Sequence, residues 1–184
     1  ASIRMRMASE GWWPWFYECN QLIRLEPRRV ILSLNVTNLD TSPMPVGLGF
    51  HPYFPQNSET ELQFFATGMI APMGAQRLEV EPLTPETSFV DDTSVHSRDL
   101  DHGYAGWDGM ATIRQPRDGF ELAVRTKTSP AGAVVYVPPK SAFFCFEPLS
   151  QINGAFEMDR ADETGLRTLK PGESLDFTVA IEID

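Results

Sequence analysis

Three ionisable side chains in this sequence stand in contexts that suit proton transfer, among aromatic or glycine neighbours: His51, Asp101 and Glu147. His51 closes an apolar run with two glycines, Gly47-Leu48-Gly49-Phe50, and is followed by Pro52-Tyr53-Phe54-Pro55. The imidazole is thus flanked by aromatic rings on a chain whose next φ is fixed by proline. A lone His in such a run is most often a satisfied core residue. Glu147 shifts that balance, because it interrupts Phe143-Phe144-Cys145-Phe146 just before Pro148. A carboxylate inside an apolar run is costly unless it is paired or used. An imidazole with a carboxylate suits a reaction in which one oxygen gains a proton while another loses one, and the opening of a sugar hemiacetal is of that kind. A glycosidase would instead present two carboxylates flanking the bond, leaving His51 without a part.

Other chemistries have little support. His96 and His102 make no HxxxH or HxH pair with each other or with His51, so no metal site is expected. There is no nucleophile elbow, glycine-rich phosphate loop or dinucleotide fingerprint, hence no expected cofactor. The net charge of −10 disfavours nucleic acid and anionic membrane surfaces as partners and leaves a neutral small molecule or a protein. No apolar run approaches the ~20 residues needed to cross a bilayer. Cys19 and Cys145 are the only cysteines. Their spacing fits two buried thiols in a reducing compartment, with the cytoplasm as the expected location, although one disulfide stays open.

The elements that must position these groups read as short strands. At 184 residues and 42% hydrophobic, the chain suffices for a single domain with a core, here residues 1–184. Glu18 to Glu26 and Val30 to Thr37 form an expected hairpin about Pro27-Arg28-Arg29. Further strands are expected at Leu62 to Ala66, Met110 to Arg114 and Phe120 to Thr126. Ala133-Val134-Val135-Tyr136-Val137 reads as a strand buried on both faces, and Leu175, Phe177, Val179, Ile181 and Ile183 alternate cleanly. Trp12-Trp13-Pro14-Trp15-Phe16-Tyr17 reads as core. Residues 91–109, which carry Asp101, read as one long irregular segment lining a site, with Asp91, Asp92, Asp99 and Asp108 as a solvated acidic loop and Asp108 capping a turn. Residues 154–167 have room for one helical turn. Short strands between Pro and Gly turns, with no amphipathic helix, give an all-β antiparallel β-sandwich.

Six motifs in order resemble the aldose 1-epimerases, the galactose mutarotase-like proteins. They are Gly49-Phe50-His51-Pro52-Tyr53-Phe54, Leu100-Asp101-His102, Gly106-Trp107-Asp108-Gly109, Pro138-Pro139, Phe146-Glu147-Pro148 and Leu169-Lys170-Pro171-Gly172-Glu173-Ser174. The resemblance runs from about Trp12 to Asp184. It implies a large antiparallel β-sandwich that works without a cofactor on a small-molecule sugar, with hexose, hexose 6-phosphate or mere carbohydrate binding as its variants. By resemblance His51 is the general acid on the ring oxygen, Glu147 the base on the anomeric hydroxyl, and Asp101 a ligand of a sugar hydroxyl. Tyr53 and Trp107 are the aromatic candidates for sugar contact, Trp107 standing equally well as a residue that packs its loop down. His102 is expected to point away from Asp101. The family's further strands, with an Arg and a second His, have no counterpart in residues 1–11, so the chain is expected either to correspond to the C-terminal part of a longer domain or to be a reduced relative with an incomplete site.

Overall fold

The computed structural model describes residues 1–7, 13–70, 79–96, 98–128, 130–158 and 164–183. In chain order the first strands are β1 (Ser2–Met7), β2 (Tyr17–Glu26), β3 (Arg29–Asn38), β4 (Met44–Val46), β5 (Tyr53–Pro55) and β6 (Glu61–Phe64). They are followed by β7 (Gly68–Ile70), β8 (Val80–Glu81), β9 (Thr93–Ser94), β10 (Leu100–Ala105) and β11 (Met110–Gln115). The last are β12 (Phe120–Thr126), β13 (Gly132–Val137), β14 (Phe143–Leu149), β15 (Arg167–Leu169) and β16 (Ser174–Ile183). One 3-10 turn, Ala155–Glu157, is the only helical piece among the described residues.

All strand pairs are antiparallel. An eight-stranded sheet runs β1-β2-β3-β16-β12-β11-β6-β9, a six-stranded sheet β5-β14-β13-β10-β7-β8, and β15 pairs β4 separately. The expected hairpin is β2–β3, closed at Glu26↔Arg29. The alternation of 175–183 has its physical cause in β16, where Phe177 and Val179 are fully buried while Asp176 faces Asn35 outside. The core lies between the two large sheets. Phe144, Phe146 and Tyr104 enter it from the six-stranded sheet, and Phe64, Ile113, Val124, Phe177 and Val179 from the eight-stranded one. Edge contacts of Phe64 with Tyr104 and with Phe146, both at 5.1 Å, stitch the layers together.

Residues 91–109 differ from the expectation. Instead of one irregular segment, the structure has β9 and then β10, whose Leu100 to Ala105 pair with Val137 to Gly132 of β13. Asp92 is ion-paired to Arg114 rather than only solvated, while Asp108 caps its turn as expected, accepting the Met110 N–H at 3.1 Å. Trp13, Trp15 and Tyr17 pack half-buried against the core and Phe16 is exposed; Trp12 lies outside the described residues. Cys19 and Cys145 are both free thiols, so no disulfide joins them.

Candidate active site

The face of the six-stranded sheet turned away from the core carries the site. On β14 the even residues Phe144, Phe146 and Pro148 are buried in the core, so Cys145, Glu147 and Leu149 project to the other side. Glu147 pairs with Val134 of β13, and Val134 with Gly103 of β10. Two residues along, Asp101 stands opposite Tyr136. Strand parity therefore gathers Glu147, Val134, Tyr136 and Asp101 on one surface.

His51 reaches that surface through a second chain segment. Tyr53 pairs with Cys145 in β5–β14, and an isolated bridge joins Gly49 to Leu149. Both pairings belong to the same antiparallel register, which puts His51 directly opposite Glu147. The bridge is held by Phe50 N–H donating to the Pro148 carbonyl at 3.1 Å and by the Ser150 hydroxyl accepting from Leu48 N–H at 2.8 Å. Glycine is needed there because a Cβ at Gly49 would stand 2.4 Å from Leu149 Cδ2 and 3.2 Å from the Pro148 carbonyl oxygen.

His51 Nε2 and Glu147 Oε1 are 3.1 Å apart. They line a hollow of about 380 Å³ together with Asp101, Val134, Tyr136, Leu149, Gln151 and Asn153. The Glu147 side chain is largely covered, 14% exposed, whereas His51 is 50% exposed. Burial raises the Glu147 pKa above its ordinary value, the nearby His51 opposes that, and Asp101 adds to it. The pair can thus pass protons to and from groups that enter the hollow, with polar neighbours to hold hydroxyls.

Of the residues singled out in the sequence, the structure brings His51, Glu147 and Asp101 to one hollow. Tyr53 stacks on His51 instead of lining it. Trp107 is a correction: it is 2% exposed, packs edge-on to Phe146 at 5.3 Å and donates its Nε1–H to the Met110 carbonyl at 2.9 Å. Its rings belong to the core and have no free face for a sugar. His102 sits on the opposite face of β10 from Asp101, as strand alternation requires. Two arginines of the same region are engaged elsewhere: Arg98 donates to the Ser94 and Glu86 carbonyls, and Arg114 pairs with Asp92 and Glu121. Tyr136, Gln151 and Asn153 were not anticipated. Tyr136 joins the hollow through its register with Asp101, which no local sequence pattern gives, and the other two follow β14 in a segment with no motif. Among the described residues one group has metal-ligand geometry: donor atoms of His51, Cys145 and Glu147 lie within 4.8 Å of one another.

A family model for aldose 1-epimerase matches residues 2–182. YphB, an uncharacterized protein of Escherichia coli K12, is 29% identical over 178 residues, which are 91% of this chain and 60% of that protein. The crystal structure of a candidate aldose 1-epimerase from Escherichia coli K12 matches with a TM-score of 0.88 at 26% identity, over 100% of this chain and 64% of the other. A galactose mutarotase-like protein from Clostridium acetobutylicum shares the fold, with a TM-score of 0.86 at 16% identity over 100% of this chain and 62% of its own. The chain therefore spans less than two thirds of the length of these relatives.

Proposed function

Because this chain belongs to the aldose 1-epimerase family, we propose that it interconverts the α and β anomers of a free hexose, with His51 and Glu147 as the proton-transferring pair. The observation that carries this reading is the 3.1 Å approach of His51 Nε2 to Glu147 Oε1 in a hollow able to hold one sugar. The two oxygens that exchange protons in ring opening hang on one carbon, so acid and base must be neighbours. A glycosidase would instead work with two carboxyl groups flanking the bond, which gives His51 no part.

In the forward step His51 gives a proton to the ring oxygen as Glu147 removes the proton of the anomeric hydroxyl. The bond from the anomeric carbon to the ring oxygen breaks and a carbonyl forms. Rotation about the bond between the first two carbons turns the other face of that carbonyl to the freed hydroxyl. On reclosure Glu147 returns its proton to the carbonyl oxygen and His51 takes one from the attacking hydroxyl, which restores both groups. The raised affinity of Glu147 for protons makes it a stronger base than an ordinary carboxylate. Asp101 accepts a hydrogen bond from a sugar hydroxyl, and Tyr136, Gln151 and Asn153 offer further polar contacts.

An uncharged sugar is favoured over a sugar phosphate because the hollow carries two carboxylates and, among the described residues lining it, no Lys or Arg. Competition between glucose and glucose 6-phosphate separates the two. Glu147→Gln keeps the shape but removes the base, and anomer interconversion followed by polarimetry is expected to fall about 10²- to 10⁴-fold. Unchanged rates in that variant would sink this reading. A second reading, sugar binding without turnover, draws on the lack of a second His or an Arg among the described residues of the hollow. Calorimetric binding of hexose with no rate enhancement in the unaltered protein would select it.

A further inference from the structure

We propose that His51, Cys145 and Glu147 also form a metal site of the zinc type, whose occupation blocks proton transfer in the hollow. Cys145 and Glu147 are two residues apart on β14 and project to the same face, while His51 stands opposite Glu147. A nitrogen and an oxygen bound to one tetrahedral metal at about 2.1 Å each are about 3.4 Å apart. His51 Nε2 and Glu147 Oε1 already stand at 3.1 Å. A thiolate at about 2.3 Å from the same metal belongs about 3.6 Å from each of them. All three donor atoms lie within 4.8 Å of one another, so small side-chain rotations complete the set.

The donor types choose the metal. Imidazole, thiolate and carboxylate together suit zinc and its spectroscopic substitute cobalt(II), whereas magnesium and calcium want oxygen ligands alone. Three protein ligands leave a fourth position for water. Cys145 has no part in the proton transfers derived above. It is fully buried.

The metal would take the His51 and Glu147 lone pairs that the epimerase reading assigns to proton transfer, so loading and turnover exclude each other. That exclusion rests on the epimerase reading; the binding itself does not.

The test is titration of the whole chain with cobalt(II), followed by absorption. One equivalent is expected to give tetrahedral visible bands and a near-ultraviolet thiolate-to-cobalt band, both bleached by zinc. The thiolate band is expected to persist in Cys19→Ser and vanish in Cys145→Ser. Because Cys145 is buried, His51→Gln serves as a second variant, expected to weaken cobalt(II) binding at least tenfold. A folded, unaltered protein with no thiolate band, a band kept in Cys145→Ser, or undiminished affinity in His51→Gln would each overturn the site. A chain that shows the band yet never speeds anomer exchange when free of metal would overturn the epimerase reading and leave the site standing. Exchange that is fast and indifferent to a bound equivalent of zinc would overturn the proposed block.

Discussion

The rings of His51 and Tyr53 lie 4.9 Å apart and within 19° of parallel. Tyr53 is itself braced by Phe143 at 5.0 Å, so the imidazole leans on an aromatic wall anchored to β14. Half of the His51 side chain is open to solvent, and this wall, together with the Glu147 contact at 3.1 Å, holds its ring. Tyr53→Phe keeps the wall and is expected to keep the rate. Tyr53→Ala is expected to lower kcat about ten- to a hundredfold through misplacement of the acid, with KM little changed. Because Tyr53 is 63% exposed, neither variant is expected to shift the melting temperature much. Equal losses in both, with KM raised, would mean instead that the phenol oxygen binds the sugar.

The pH behaviour follows from Glu147. Burial raises its pKa from 4.5, His51 draws it down and Asp101 raises it again. In the proposed reaction Glu147 is the base and must be ionised, so the acid limb of the rate profile is expected above the ordinary Glu range. Asp101→Asn removes one raising influence and is expected to move that limb to lower pH, while KM rises through the lost sugar contact. Stability has the opposite dependence. The folded chain holds the Glu147 proton more tightly than the unfolded chain, so this group's contribution is present below 4.5 and is lost as pH climbs through the raised folded value. Melting temperatures of the unaltered protein and Glu147→Gln, taken across pH 4 to 8, are expected to diverge in the variant's favour as pH rises. Parallel curves would mean that Glu147 titrates alike in both states.

Much of the sheet framework was legible because burial of one face imposes alternation, as in 175–183, where Phe177 and Val179 point inward. His51 and Glu147 were legible for the opposite reason, each being an ionisable group out of place in an aromatic run beside a proline. β10 was hidden by its composition. Its core face takes His102 and Tyr104, and its outer face takes Asp101 and Gly103, so the hydrophobic alternation that marks a strand is scrambled. The gathering of Cys145 with His51 and Glu147 depends on the pairing of β5 with β14 across about 90 residues, and no local pattern encodes that register.

Trp107 shows how a motif can mark packing and not contact with a ligand. The indole is buried against Phe146, the core-side neighbour of Glu147 in β14, and its N–H satisfies the Met110 carbonyl beneath the turn that Asp108 caps. Trp107→Phe retains most of the apolar volume but removes that hydrogen bond, a loss of about 0.5–1.5 kcal/mol. The expected outcome in chemical denaturation is a lower midpoint with an unchanged slope, because the folded and unfolded surfaces stay the same. Hexose affinity by calorimetry is expected to stay within twofold of the unaltered protein. A large fall in affinity without a fall in stability would put the indole against the sugar after all, which would require residues 106–109 to swing out of the core that now holds Trp107 at 2% exposure.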